Sequence, residues 1–255
     1  MNRSHRASTI GSESNNGWKR WWDEASLGIV TAIVFASLGS FALFGLGFSI
    51  GRAHALLLVL PLFLVPLLVR RGDVWNALRQ GSVHVGVIAG IMGVTSQFYG
   101  LGGDGMATHQ DAILGLTSEW NPLQDPYFME WETMAETHPE AKELFWVERG
   151  IARTLSYTLS AVLIQSIDVH EVGKSVHLLG VWMVICAAMS CAHRLFGKRR
   201  NRVLFAMVCA LNPVSMYQFL SYWQDGFLGS VYTVMVLSGV CWFFEGRSLK
   251  APLQL

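Results

Sequence analysis

Six stretches of the chain carry no charged side chain over roughly the length needed to cross a lipid bilayer: residues 27–50, 53–69, 82–99, 175–192, 203–223 and 227–244. A helix of ~17–25 mostly apolar residues spans the ~30 Å hydrocarbon layer. There the backbone must satisfy its own hydrogen bonds, which limits such runs to helices or closed barrels. The runs show no strict alternation, so they read as helices. Hydrophobic residues make up 52% of the chain and charged residues 15%, well below the roughly one quarter charged in soluble domains. The expected fold is therefore all-α, a polytopic membrane helix bundle of about six transmembrane helices. Cys186, Cys191, Cys209 and Cys241 all lie inside these runs, where they read as packing thiols rather than a disulfide framework or a metal cage. A net charge of +1 offers nothing to attract nucleic acid.

The positions of Lys and Arg set the topology. Residues 1–26 are polar and hold Arg3, Arg6, Lys19 and Arg20 with Trp18, Trp21 and Trp22. The following run is too long and too far into the chain for a secretory signal, so it reads as a retained anchor with the tryptophans at the interface. Residues 150–167 could form a seventh span or a helix that does not cross. If they do not cross, fourteen basic residues fall on one side and only Arg52, Lys142, Arg149, Arg153 and Lys174 on the other. Basic residues favour the cytoplasmic side, so residues 150–167 are assigned to a surface or re-entrant helix outside. The organisation expected is a cytoplasmic segment at 1–26, three spans at 27–98, an extracytoplasmic loop with juxtamembrane helices at 99–174, three spans at 175–245 and a cytoplasmic tail at 246–255. That describes an integral protein of the cytoplasmic (inner) membrane with its N-terminus in the cytoplasm.

The large loop holds most of the candidate chemistry. Residues 99–148 contain ten of the eighteen acids and one basic residue, Lys142. Long loops in compact proteins are usually functional or disordered; the aromatics Trp120, Tyr127, Phe128, Trp131, Phe145 and Trp146 give this one material to pack. In "GGDGM", Asp104 stands within a few residues of the third span, flanked by glycines that allow a sharp turn. His109 and Asp111 follow at the start of a short helix. Asp104 reads equally well as a helix cap, and His109 and Asp111 as solvated residues. "EWNPLQDPY" carries two prolines and reads first as a rigid corner.

Two further features lie outside the acidic stretch. In "LNPVSMYQFLSYWQDGF", Ser215, Gln218, Tyr222 and Asp225 are spaced to share a helix face, and polar groups within a span usually face a bundle interior or a wet cavity. Interhelical hydrogen bonding is the competing account. Lys174 stands at the outer mouth of the fourth span, where a lysine commonly snorkels to head groups or meets a phosphate as a point charge; Arg149 and Arg153 offer the same choice.

Taken in order, "YGLGGDGMATHQDAILGLTSEWNP", "VHEVGKSVHLL" and "LNPVSMYQFLSYWQDGF" resemble the GT-C superfamily of integral-membrane glycosyltransferases over about residues 82 to 245. The resemblance implies transfer of a sugar from a polyprenyl-phosphate donor at the outer face, with inversion. It implies catalytic roles for Asp104, His109 and Asp225, and substrate contacts for Arg149, Arg153, Lys174, Gln218 and Tyr222. Asp104 would activate the acceptor or hold a divalent cation, while a basic residue would neutralise the departing lipid phosphate. The partners implied are a lipid-linked sugar donor, membrane lipid and a further membrane subunit. Two departures stand out. The paired acids of the family are absent after the third span, which argues against a complete metal site, and the chain ends soon after the sixth run, as in a shortened or partial member. Two rival readings remain. A non-catalytic membrane subunit of the same fold would tolerate Asp104→Ala, and a small transporter would need a water-filled path along the Ser215–Asp225 face.

Overall fold

A computed structural model describes residues 4–98, 111–118, 120–123, 155–218 and 225–248, and every regular element among them is helical. They are α1 (Ser4–Gly45), α2 (Ala55–Val69), α3 (Val74–Thr95), α4 (Asp111–Thr117), α5 (Leu155–Ile167), α6 (Ser175–Leu195), α7 (Arg199–Ala210), α8 (Pro213–Gln218) and α9 (Asp225–Ser248). Single 3-10 turns at Arg52–His54 and His170–Lys174 lead into α2 and α6.

Among the described residues four segments are long and apolar enough to cross a membrane: Gly17–Gly45, Arg52–Val69, His170–Leu195 and Asp225–Phe244. Helix α3 matches them in length but carries Asn76, Arg79, Gln80 and His84, which lower its hydropathy. The run 203–223, expected as one helix, is divided. Helix α7 stops at Ala210 and α8 starts with Pro213 as its first residue. Proline has no N–H to give the preceding turn and its ring crowds the carbonyl four residues back, so it suits a helix start and not an interior. Leu211 and Asn212 form the joint, and Asn212 supplies the carbonyl that accepts from the Met216 N–H at 3.0 Å.

The outward faces are apolar as well as the inward ones. On α1 the buried positions recur as Ala25, Ile29, Ala32, Ala36 and Ser40, while Leu27, Val34, Phe35 and Leu38 point out. On α2, Leu56, Leu60, Leu64 and Leu68 form an exposed row at one-turn spacing opposite buried Leu58 and Leu62. A soluble helix would place polar groups on that outer stripe; an exposed leucine row of this length is suited to hydrocarbon.

Helix α6 forms the hub, with 15 of its 21 residues buried. It packs on α1, α7 and α9, and the hairpin of α2 and α3 leans on α1. Close approach depends on small residues, as is usual where apolar helices meet without a solvent-driven force between them. A Cβ on Gly81 of α3 would lie 2.2 Å from the Phe63 ring of α2, and one on Gly180 of α6 would lie 2.9 Å from Ser230 of α9.

Contacts between helix ends define two poles. At one pole the Trp18–Glu24 part of α1 meets the junction of α2 and α3 and the end of α6; arginines crowd there, and it is called the basic pole. At the far pole the end of α3 meets the start of α6. Here a second, smaller core forms. Phe44 and Ile50 pack with Ile113 and Leu116 of α4, Trp120, and Tyr157, Val162 and Ile164 of α5. Helix α5 is not a surface helix. Residues 156–164 are buried without exception, and at about 20 Å its 13 residues are too short to cross a bilayer. Its Ser156, Thr158 and Ser160 are enclosed as well.

Candidate functional site

The far pole collects polar side chains from five elements. Asp225 opens α9, and its carboxylate is exposed. Among the described residues its one hydrogen bond comes from the Gln218 amide, Nε2 to Oδ2 at 3.3 Å. Gln218 is buried at the end of α8 and accepts through Oε1 from the Gly226 N–H. The shared-face expectation therefore reaches a correct neighbour by a different route. Gln218 and Asp225 belong to different helices, α8 and α9, and meet across their junction.

Gly226 permits the contact. A Cβ there would stand 3.1 Å from Gln218 Oε1 and 3.3 Å from His177 Nδ1, so the absent side chain lets α6 and α8 close on α9. His177 itself is buried in the first turn of α6. Tyr157 of α5 completes the group. Burial first, and then the negative charge of Asp225, push its phenol well above the usual tyrosine range, which keeps it a neutral donor at physiological pH.

Lys174 stands at the same pole, at the end of the turn that leads into α6. Its side chain is 0% exposed, so it neither snorkels nor stands on a rim. Its ammonium donates to the Phe98 carbonyl at the end of α3 and to Glu171 one turn earlier. A buried ammonium needs such partners, since an uncompensated charge away from water is strongly disfavoured. The neighbouring Ser175 hydroxyl meets Thr95 at 2.6 Å and joins α6 to α3 a second time.

The "WNP" corner is structural. Trp120 fills the small core, while the Asn121 amide donates to the Phe44 carbonyl at 2.9 Å and so satisfies the open end of α1. The Gln165 amide ties α5 to the Thr117 carbonyl of α4. These bonds fix the roof from which Tyr157 descends.

Of the residues singled out in the sequence, Asp225, Gln218 and Lys174 come to this pole. Asp104, His109, Arg149, Arg153 and Tyr222 lie outside the described residues, as does the divalent cation expected at Asp104. Among the described residues no group of three or more His, Cys, Asp or Glu is placed to hold a metal. Sequence reasoning missed His177, Tyr157 and Glu171. For Glu171 there was a signal, since it precedes Lys174 by three positions, the spacing of a helical ion pair. His177 and Tyr157 are recruited by tertiary contact and had none.

No family model matches the chain. No curated protein and no solved structure matches it either. Any functional assignment therefore rests on the residues themselves. They place an exposed carboxylate, a neutral phenol, an imidazole and an amide at one end of a bundle whose flanks are apolar.

Proposed function

We propose that the chain is a membrane-embedded glycosyltransferase-like protein acting on a polyprenyl-phosphate-linked sugar at the extracytoplasmic face, with inversion. The observation that supports this reading best is Asp225. It is exposed at the pole away from the arginines and bound by a single described amide, its charge reaches the buried Tyr157, and its neighbour Gly226 lies against His177. In this reading the six apolar runs make six legs, the broken α7–α8 pair counting as one. The basic pole lies in the cytoplasm together with the N-terminus, because lysine and arginine favour that side; the membrane is the cytoplasmic one.

The chemistry asked of the site is modest. A positioned carboxylate accepts the proton of an acceptor hydroxyl as it attacks the anomeric carbon. The lipid phosphate leaves on the opposite side and needs cationic stabilisation. Lys174 is enclosed and committed to Glu171, so in this proposal it holds the floor of the site. Arg149 and Arg153 keep the leaving-group role, and Asp104, with or without a divalent cation, and His109 keep the catalytic roles that the resemblance implies. Gln218 and Tyr222 orient the substrate.

The test is turnover in proteoliposomes supplied with a radiolabelled polyprenyl-phosphate sugar. Asp225→Asn should abolish product while the protein remains folded. Undiminished turnover in that variant would remove Asp225 from the chemistry. The absence of turnover in the unmodified chain with any such donor would favour a non-catalytic subunit of the same architecture. The interrupted α7–α8 leg is the one feature that favours a transporter, and that reading requires solute uptake by the same vesicles.

A further inference from the structure

The basic pole carries a cleft that the proposed chemistry does not use. Its volume is about 340 Å³, and Gly17, Trp18, Trp21, Arg70, Asn76 and Arg79 line it. That falls within the ~300–1,000 Å³ typical of ligand pockets. We propose that this cleft holds the head group of an anionic phospholipid, its phosphate between Arg70 and Arg79. The inference assumes that the chain sits in a membrane and is otherwise independent of any sugar transfer.

The two guanidiniums are prepared differently. Arg70 is nearly buried, 16% exposed, and its Nε donates to Glu24 at 2.6 Å. Glu24 is itself 2% exposed, and the Arg20 Nε meets its other oxygen at 2.9 Å. One carboxylate thus holds two arginines and fixes Arg70 in place; its Nη1 lies 4.0 Å from an Asp73 carboxylate oxygen, beyond hydrogen-bond distance, so that N–H can still turn to a phosphate. Arg79 is exposed and has no ion pair among the described residues. A fixed and a free guanidinium at the same mouth can grip a phosphate from two directions, each with a planar pair of donors.

The remaining walls suit an amphiphile rather than a free anion. Trp18 and Trp21 stand edge to face with centroids 6.4 Å apart, and indoles concentrate at the depth where head groups begin. Gln80 donates to the Trp21 carbonyl at 3.2 Å, which ties α3 to the Trp21 turn of α1. Directly beside the two arginines in the chain, Leu68, Val69, Val74, Trp75 and Leu78 are exposed apolar residues. Acyl chains leaving a head group in this cleft would run over them.

The experiment measures lipid binding to the full-length protein in neutral detergent, by thermal unfolding and by retention of lipid in native mass spectrometry. The probes are phosphatidylglycerol, phosphatidylcholine and inorganic phosphate. Phosphatidylglycerol should raise the unfolding temperature and co-purify; the other two should do neither. Arg79→Gln should weaken phosphatidylglycerol binding about tenfold, the loss expected for one charge-assisted contact, and Trp18→Ala should weaken it less. Both side chains are exposed, so neither change threatens the fold. The control is the double variant Arg199→Gln with Arg200→Gln on α7, which should bind as the parent does. Equal binding of phosphatidylcholine overturns the proposal, as does an equal loss in the control pair, which would mean surface charge in general. Saturation of the effect by inorganic phosphate would identify a free-anion site and overturn it as well.

Discussion

The two poles of the bundle handle carboxylates in opposite ways. At the basic pole Asp23, Glu24 and Asp73 all face guanidiniums. Asp23 meets Arg194 at 2.8 Å, Glu24 lies between Arg20 and Arg70, and Asp73 is 4.0 Å from Arg70. At the far pole Glu171 is paired with Lys174, but Asp225 has an amide at 3.3 Å and solvent beyond it. Paired charges join helices: Glu24 links α1 to the α2–α3 junction, and the Asp23–Arg194 pair links α1 to α6. The exposed acid joins α8 to α9 only through one long amide contact, and most of its acceptor capacity remains for another molecule. The difference separates charges that assemble the protein from a charge that the fold does not need.

The largest effect should follow from removing Glu24. Glu24→Ala leaves Arg70, largely enclosed, without its partner and facing Arg20. Breaking a buried pair from one side typically costs about 3–5 kcal/mol, so the variant should unfold at a much lower temperature in detergent or fail to accumulate. A variant as stable as the parent would show that the basic pole is held by helix packing alone, and the contrast between the poles would collapse.

The Lys174–Glu171 pair comes next and tests whether the floor of the far pole is built in the same way. Glu171→Gln strands a buried ammonium and should destabilise strongly, though less than loss of Glu24, because the Phe98 carbonyl remains. The double change Lys174→Met with Glu171→Leu should recover most of the loss, since an apolar replacement of a buried pair is often neutral or better. If the double variant is no more stable than the single one, the pair is doing more than filling space.

Much of the architecture was readable because uncharged length is a property of the chain in one dimension. The runs at 27–50, 53–69, 175–192 and 227–244 coincide with helices long enough to cross. Failures arose where a run's total hydropathy hid a local interruption. Residues 203–223 were counted as one leg although they contain Pro213, which opens α8 rather than continuing α7. The count of basic residues assigned 150–167 to a surface or re-entrant helix, but it cannot register the packing of α5 in the small core, which encloses Ser156 and Ser160. At the site, Asp225 and Gln218 were legible from polarity within an apolar context. Tyr157 and His177 were not, because α5 and α6 bring them to this pole through tertiary packing, and no spacing along the chain encodes that.

A smaller effect concerns Asp73, which caps α3 by accepting from the Asn76 N–H at 3.2 Å and side-chain amide at 2.6 Å. These hydrogen bonds, the side-chain one foremost, hold its carboxyl below the usual range. A folded-state value below the unfolded one means that the stabilisation is present above the unfolded value and fades as pH falls through the folded one. Stability should therefore decline slightly in the acid range. Asp73→Ala should remove that pH dependence and lower the melting temperature by no more than a few degrees. An unchanged acid profile in the variant would assign the decline to other carboxylates.

The smallest effect on stability is expected at Asp225, and there a small value carries the most meaning. An exposed residue with one long hydrogen bond contributes within about 0.5 kcal/mol of nothing, so Asp225→Asn should leave the melting temperature where it was. Asn keeps the volume and an acceptor for the Gln218 amide but removes the charge. If stability holds while sugar transfer is lost, the two poles are functionally as well as energetically distinct, one assembling the bundle and the other acting on substrate. If Asp225→Asn destabilises as Glu24→Ala does, then Asp225 is another joint between α8 and α9, and the site must be sought in the loop around Asp104 and His109. Tyr157→Phe separates the cases further. The phenol lies close enough to feel the Asp225 charge, so deleting its hydroxyl should lower turnover if the two act together on substrate and should leave turnover unchanged if Asp225 is only a structural joint.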